Sequence, residues 1–293
     1  MRLNEIGQQL RAYRLESGMR AEEIAARLGV SRAALYRYEK GEVIKLDTVQ
    51  RLAELLKISP LSLLGIGVEY YSRTVGFFER LRQVEETAEQ ILQVGLPFCY
   101  LVTSDAFDLT LTESLFQAAD QAGADAAAAR AMAEQVLGIL SARKRLYQSR
   151  RPGIIAILPE QSLQQLLQDG ICAGLPLDEP LRRRCRAIAV QEVEAIANFL
   201  ETEPMGLQFS LLPGAAPSTN CMLLRQRDRA TIAINPFRSD SNCTGSTGVA
   251  LVTGAPEAVA THQRVIEGMW RDSVKGPAAA QRVRALLAAY RIQ

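Results

Sequence analysis

Residues 21–41 read AEEIAARLGVSRAALYRYEKG and contain two short helical patterns separated by a turn. In the first pattern, the apolar residues Ile24, Ala25 and Leu28 recur at helical spacing. Gly29 ends the run. Ser31 is a good N-cap for a second helix, which extends to Lys40 and is closed by Gly41. The stretch therefore predicts two helices that pack across a tight turn.

This spacing predicts a helix-turn-helix. The motif needs a small residue where the chain reverses and an apolar residue after it, and Gly29 and Val30 meet both requirements. It also needs a polar outward face on the second helix, which fits a major groove about 12 Å wide. We expect that face to read base edges of a double-stranded DNA operator, through Arg32, Ala33, Tyr36 and Arg37.

The register around the motif resembles that of the Xre/Cro family of prokaryotic regulators. The positions that carry the resemblance are Leu10-Arg11-x-x-Arg14, Gly18-Met19, Glu23-Ile24-Ala25-x-x-Leu28-Gly29-Val30-Ser31, Leu35-Tyr36-Arg37-Tyr38-Glu39-Lys40-Gly41 and Leu52-Ala53-x-x-Leu56. In that family an Arg before the first turn commonly pairs with the Glu that ends the recognition helix, which implies a structural bridge between Arg14 and Glu39.

One position departs from the family pattern. Where the family usually has a Gln that contacts the DNA backbone, this sequence has Ala21, preceded by Arg20. We expect phosphate contacts, which set the register of the protein on the duplex, from four residues: Arg20, Ser31, Lys40 and Lys45. Two alternatives stay open, namely a helical interaction module that no longer binds DNA, and a Tyr36 that packs on a neighbour instead of touching a base.

Three segments divide the chain. Residues 1–66 are predicted to form an all-α, five-helix helix-turn-helix domain, and residues 67–95 a connector helix. Residues 96–293 are predicted to form an α+β domain with a mostly antiparallel sheet flanked by helices, including a meander between residues 207 and 252. The connector carries four aromatic residues that either pack between subunits or enter the core: Tyr70, Tyr71, Phe77 and Phe78.

Short apolar runs bounded by breakers predict the strands of the larger domain: Phe98–Val102, Gly153–Leu158, Leu207–Leu212, Cys221–Gln226, Ala230–Ile234 and Val249–Val252. Longer periodic stretches predict its helices: Thr112–Gln121, Ala124–Arg150, Glu160–Gln168, Glu179–Glu201, Pro256–Arg271 and Pro277–Tyr290.

The larger domain shows no nucleotide-binding or metalloprotease motif. We therefore predict no enzymatic activity, no cofactor and no metal site. Two weaker features remain. The first is the loop 243–248, where a pair of Ser246 with His262, the only His of the chain, stays open as an alternative. The second is the Arg-rich stretch 182–186, which is either an anion site or a solvated helix face.

A second resemblance concerns residues 146–163. This stretch, Leu146-Tyr147-x-Ser149-Arg150-Arg151-Pro152-Gly153-Ile154 onward, and the later Leu211-Leu212-Pro213-Gly214 are similar to the effector domain of actinobacterial Xre-type regulators. The resemblance implies a domain that senses a small molecule and names no pocket residues. Since a single small domain reads only one half-site, we also expect a homodimer.

Composition and charge agree with this interpretation. The 293 residues carry a formal net charge of +2, and residues 1–66 hold 11 Lys and Arg against 8 Asp and Glu, an excess of +3. The five Cys show no C-x-x-C spacing, which predicts reduced thiols in the cytoplasm. The N-terminus is polar, and the most apolar stretch, 122–140, contains charges, so we predict no signal peptide and no membrane segment.

Two other classes of function remain as alternatives. The first is a protein-binding regulator, such as an antitoxin-like or phage-related partner-binding module. The second is an enzyme fused to a helix-turn-helix, which would require convergent polar groups around His262 or the 243–248 loop. The prediction that these residues favour is a sequence-specific DNA-binding transcriptional regulator whose C-terminal domain senses an effector and dimerises.

Overall fold

The computed structural model describes residues 3–214, 216–237 and 248–292. Five helices form the N-terminal region: α1 Leu3–Ser17, α2 Ala21–Leu28, α3 Arg32–Glu39, α4 Leu46–Leu56 and α5 Pro60–Leu63. Their apolar faces meet in one cluster whose most buried members include Leu10, Ile24, Leu35, Leu52 and Leu63. The predicted all-α domain is therefore confirmed.

The larger region has eight strands and seven helices among the described residues. The strands are β1 Val68–Tyr71, β2 Ala88–Val94, β3 Gly153–Pro159, β4 Leu207–Leu212, β5 Cys221–Gln226, β6 Ala230–Ile234, β7 Ala250–Thr253 and β8 Val274–Lys275. The helices are α6 Thr74–Glu85, α7 Asp105–Asp120, α8 Ala126–Arg150, α9 Glu160–Asp169, α10 Glu179–Thr202, α11 Pro256–Asp272 and α12 Gly276–Ile292.

All eight strands belong to one sheet, in the order β1-β7-β6-β5-β2-β3-β4-β8. Only β2–β3 and β3–β4 pair in parallel, and the other neighbours are antiparallel. The predicted α+β class with a mostly antiparallel sheet is confirmed. The meander is shorter than predicted, because it comprises β5, β6 and β7, whereas β4 pairs in parallel with β3 at the other side of β2.

The predicted connector helix over 67–95 is wrong. Its middle is the helix α6, but its two ends are strands of the sheet. Val68 pairs with Thr253, and Val94 pairs with both Ile157 and Cys221. These partners are distant in sequence, so a local helical pattern cannot reveal them, and strand preference depends strongly on such neighbours.

The aromatic residues of that segment take different environments. Tyr71, Phe77 and Phe78 are buried in the main core, whereas Tyr70 on the edge strand is 59% exposed. The strand predicted over 98–102 is also wrong, because the structure has a single 3-10 turn at Tyr100–Val102. The ring of Tyr100 in that turn packs edge-on against Phe107 of α7. The apolar residues Tyr100 and Leu101 are therefore buried in the core although they form no strand.

The two faces of the sheet are covered unequally. The main core joins one face to α6, α7, α8, α9, α10 and α12, and it continues into the N-terminal helices. On the opposite face, α11 packs through Ile266 onto a smaller cluster that includes Leu92, Ile157, Leu223 and Ile232. The helix-turn-helix thus shares a core with the sheet domain.

A polar seam fixes the helix-turn-helix to the sheet domain, and Glu69 on β1 is its centre. Both carboxylate oxygens bind Arg80, with Nε–Oε2 at 2.7 Å and Nη2–Oε1 at 2.8 Å. Gln9 of α1 donates to the same carboxylate at 2.6 Å, and so does the hydroxyl of Tyr71 at 2.8 Å. Because the seam is buried, Glu69 and Arg80 each need the other as a counter-charge.

Two cysteines allow a chemical test of this packing. Burial raises the pKa of Cys99 to about 12 and that of Cys221 to about 11. Because only the thiolate reacts with iodoacetamide, we expect Cys221 at pH 8 to alkylate on the order of a hundredfold, and Cys99 on the order of a thousandfold, more slowly than in the urea-unfolded chain. The rate should rise with pH up to these pKa values. Peptide mapping by mass spectrometry measures each site, and Cys221 modification at the unfolded rate would contradict the fold.

Candidate nucleic-acid interface

The turn between α2 and α3 is built by one glycine and one cap. Gly29 adopts φ +71°, a left-handed conformation that a side chain would strain, and it ends α2. Ser31 follows in extended conformation, and its hydroxyl accepts a hydrogen bond from the backbone N–H of Ala34 at 3.1 Å. These two residues set the angle at which α3 leaves the domain.

One face of α3 is buried and the other faces solvent. Ala34, Leu35 and Glu39 are buried against the other helices. Of the four residues predicted for base readout, Arg32, Ala33 and Arg37 are exposed, and Tyr36 is half-buried. The structure therefore brings the predicted set together on one solvent-facing helix.

Arg32 is held by two neighbours. Its Nη1 lies 2.7 Å from Oε1 of Glu22 on α2, and its Nη2 donates to the hydroxyl of Tyr36 at 3.3 Å. The hydrogen bond with Tyr36 and the charge of Glu22 raise the pKa of Arg32. The guanidinium remains exposed, and exposed ion pairs contribute little free energy, so a base or a phosphate can replace Glu22.

Arg37 has an equivalent exposed partner. Its Nε lies 3.1 Å from Oε2 of Glu42, in the loop after α3. Sequence reasoning missed both carboxylates that pair with these two exposed arginines. The five-residue separation of Arg37 and Glu42 was a usable signal, whereas Glu22 meets Arg32 only because α2 and α3 pack together.

Arg14 and Glu39 form the bridge that the resemblance implies. The contact is bidentate, with Nε–Oε1 at 2.5 Å and Nη2–Oε2 at 3.0 Å. Burial lowers the pKa of Arg14, but the hydrogen bonds and the charge of Glu39 outweigh this effect, so the pKa of Arg14 is raised. The Arg14 guanidinium also lies 6.0 Å from the ring centre of Tyr36, and that of Arg32 lies 5.3 Å from it. Tyr36 therefore also orients both arginines.

The phosphate candidates surround this face. Arg20 and Lys45 occupy the N-cap positions of α2 and α4, where no side chain caps the helix among the described residues. The first backbone N–H groups of such helices attract anions. Ser31 and Lys40 are exposed at the two ends of α3. All four predicted residues therefore lie on the surface around the readout helix.

Two exposed apolar residues near Lys45 were not predicted as part of this face. Val43, in the loop after α3, and Leu46, the first residue of α4, are 73% and 76% exposed and lie on either side of Lys45 in the sequence. Apolar side chains at such a position are suited to contact sugar groups or thymine methyls. Their signal in the sequence was weak, because the run 43–46, Val-Ile-Lys-Leu, is too short to show a period.

The features that the sequence singled out in the larger domain give less support for a functional site. Cys243 and Ser246 of the loop 243–248 lie outside the described residues, and Nδ1 of His262 lies 2.8 Å from the carbonyl oxygen of Ala258. Of the arginines in 182–186, three contact Glu179 and Arg184 contacts Glu113, as expected for a solvated face. Within 3–214, 216–237 and 248–292 no group of three or more His, Cys, Asp or Glu is arranged to hold a metal ion.

None of the helices described by the structure combines the length and the apolar character that a bilayer crossing requires.

Comparison with known proteins supports the N-terminal part. Residues 10–63 match the family model HTH_3, described as helix-turn-helix. No curated protein matches the chain. One solved structure also matches, reported as "Structure of TrmBL2, an archaeal chromatin protein, shows a novel mode of DNA binding". The match covers 78% of this chain and 61% of the chain in that structure, at 11% sequence identity and a TM-score of 0.34. At that TM-score the likeness carries no argument. The comparisons thus identify a helix-turn-helix domain at residues 10–63.

Proposed function

We propose that this protein is a sequence-specific DNA-binding transcriptional regulator. The observation that carries the proposal is the exposed face of α3, where Arg32, Ala33 and Arg37 lie together on a helix-turn-helix. Arginine bidentate to guanine is the commonest specific contact in the major groove, and each such pair contributes about 1–3 kcal/mol of discrimination. Arg20 and Lys45 hold the phosphates on either side.

We expect Arg32→Ala and Arg37→Ala each to lower affinity for the selected operator by about 5- to 150-fold, the equivalent of 1–3 kcal/mol. Affinity for a scrambled duplex should change little, because base contacts are lost and phosphate contacts remain. The operator is obtained by selecting random duplexes on the wild-type protein, and affinities are measured by fluorescence anisotropy.

Two control variants separate the roles. Lys45→Ala should weaken operator and scrambled duplex about equally and reduce the salt slope by about 1. Arg183→Ala, which removes an exposed arginine of the larger domain, should change neither. The proposal fails if selection enriches no sequence, or if the double variant of Arg32 and Arg37 binds the operator as the wild type does.

We propose further that the chain acts as a homodimer and that the larger domain is a sensor of a small-molecule effector, not an enzyme. One helix-turn-helix reads a single half-site, and a dimer reads two half-sites about 34–36 Å apart. The resemblance of residues 146–163 to effector domains supports the sensing role. A footprint with two protected half-sites one helical turn apart, together with a dimer mass in sedimentation, tests the dimer.

A further inference from the structure

Three arginine–glutamate pairs involve a residue of α3, and they differ in burial. The side chains of Arg14 and Glu39 are 13% and 5% exposed, as suits a bridge that holds the fold. In the other two pairs, Glu22 and Glu42 bind arginines of α3, and every side chain is more than half exposed. Exposed pairs contribute only about 0–1 kcal/mol to stability. The fold therefore does not explain why these two carboxylates lie on this surface.

The other cations around the same face have no carboxylate partner. Arg20, Lys40 and Lys45, which are expected to contact phosphates, form no ion pair within the part of the chain that the structure describes. The two arginines that are expected to read bases, Arg32 and Arg37, each have one. The surface thus leaves full positive charge at the phosphate positions and offsets it at the readout positions.

The contacts of Arg32 show what this offset does. Its Nη1 lies 2.7 Å from Oε1 of Glu22, and its Nη2 donates to the hydroxyl of Tyr36 at 3.3 Å. A phosphate that approached this guanidinium would come close to the Glu22 carboxylate and be repelled by it. A guanine edge offers the acceptors N7 and O6 without a net charge. It can therefore bind the same guanidinium without that repulsion.

Arg37 has the same arrangement at the other end of α3. Its Nε lies 3.1 Å from Oε2 of Glu42, which follows the helix in the next loop. The two carboxylates come from different segments, because Glu22 belongs to α2. Both readout arginines are therefore offset independently of each other.

We propose that Glu22 and Glu42 determine specificity, because their carboxylates disfavour phosphates at Arg32 and Arg37 and leave these arginines to neutral base edges. A repulsive element directed against the wrong partner is a general route to specificity. The inference rests on the proposed function, since it concerns the same face of α3. Its consequence is that non-operator DNA is held by the unpaired cations alone.

The test compares Glu22→Gln with the wild type on the selected operator and on a scrambled duplex, by fluorescence anisotropy at about 50 to 200 mM salt. On the scrambled duplex, affinity should rise about fivefold and the salt slope should steepen by about 1, because Arg32 gains a phosphate. On the operator, where Arg32 holds a base, affinity should rise no more than about twofold, with the same slope. Glu42→Gln should act likewise through Arg37.

Two controls separate this effect from the change in net charge. Glu23→Gln removes the neighbouring carboxylate of α2, whose partner is Arg27 of the same helix at 2.7 Å. It should change both duplexes equally and leave both slopes as they are. Glu22→Gln in an Arg32→Ala background should behave as Glu23→Gln does, because the arginine that would gain the phosphate is absent.

Equal gains on operator and scrambled duplex would overturn the proposal, and so would a steeper slope that persists without Arg32. These outcomes leave the operator affinities of the Arg32 and Arg37 variants, and with them the proposed function, untouched. If selection enriches no sequence, the proposed function fails, while the slopes on a random duplex still decide whether Glu22 keeps phosphates from Arg32.

Discussion

Glu69→Gln will destabilise the protein by about 3 kcal/mol, because it removes the counter-charge of a buried arginine. The side chain of Arg80 is 16% exposed, and both oxygens of Glu69, whose side chain is 7% exposed, accept hydrogen bonds from its guanidinium. Burial opposes the charge of Arg80, but Glu69 outweighs that effect and raises the pKa of Arg80. With an amide in place of the carboxylate, Arg80 loses the negative charge that offsets its burial.

Urea unfolding followed by circular dichroism measures the change. The matched control is Glu22→Gln, which removes an exposed carboxylate from Arg32 and should alter stability by no more than about 0.5 kcal/mol. Replacing Glu69 and Arg80 together by Leu should recover part of the loss, since neither charge is then buried alone, whereas Gln9 and Tyr71 lose the acceptor of their hydrogen bonds. Equal effects of Glu69→Gln and Glu22→Gln would show that the seam is not buried in solution.

Arg143→Met will destabilise the protein by about 3–5 kcal/mol. Arg143 on α8 and Glu85 on α6 have side chains only 4% and 3% exposed, and they pair through two bonds of 2.9 and 2.8 Å. The guanidinium also lies 5.4 Å from the ring centre of Phe78 and 5.7 Å from that of Tyr100. Met keeps similar volume between the rings but leaves Glu85 charged and unpaired.

The loss in Arg143→Met should shrink at low pH. An unpaired buried carboxyl has a folded-state pKa above its unfolded value. Its protonated form therefore stabilises the folded state below the unfolded pKa, and that contribution is lost as pH rises through the folded pKa. Urea midpoints at pH 5 and pH 7 measure this. Arg130→Met, which breaks an exposed pair with Asp120 and a contact of 4.3 Å with Phe116, should cost far less at both pH values. A gap between Arg143→Met and wild type that is constant with pH would contradict the buried pair.

Helices and strands whose ends are set by neighbouring residues in the sequence were predicted closely. The helix over 21–28 and the strands over 221–226 and 230–234 have the predicted bounds. Each is terminated by its own neighbours, as Gly29 terminates α2. The exposed face of α3 follows from helical periodicity in the same way. The pairing of Arg14 with Glu39 came from resemblance, because 25 residues separate the two.

The segment 67–95 shows where local reasoning fails. Its charges and aromatic residues are typical of a helix, and the central part is one. Its ends are strands because β1 pairs with β7, which is about 180 residues away, and β2 lies between β3 and β5. A strand gains its hydrogen bonds from such partners, so its own sequence is insufficient to define it.

The amino-acid sequence alone determined the helix-turn-helix and the residues on its outward face, because caps, glycine turns and apolar spacing act over a few residues. Only the tertiary structure decided how that domain is attached. The seam around Glu69 exists because α1, β1 and α6 meet. The burial that gives those groups their energies arises only when distant segments pack.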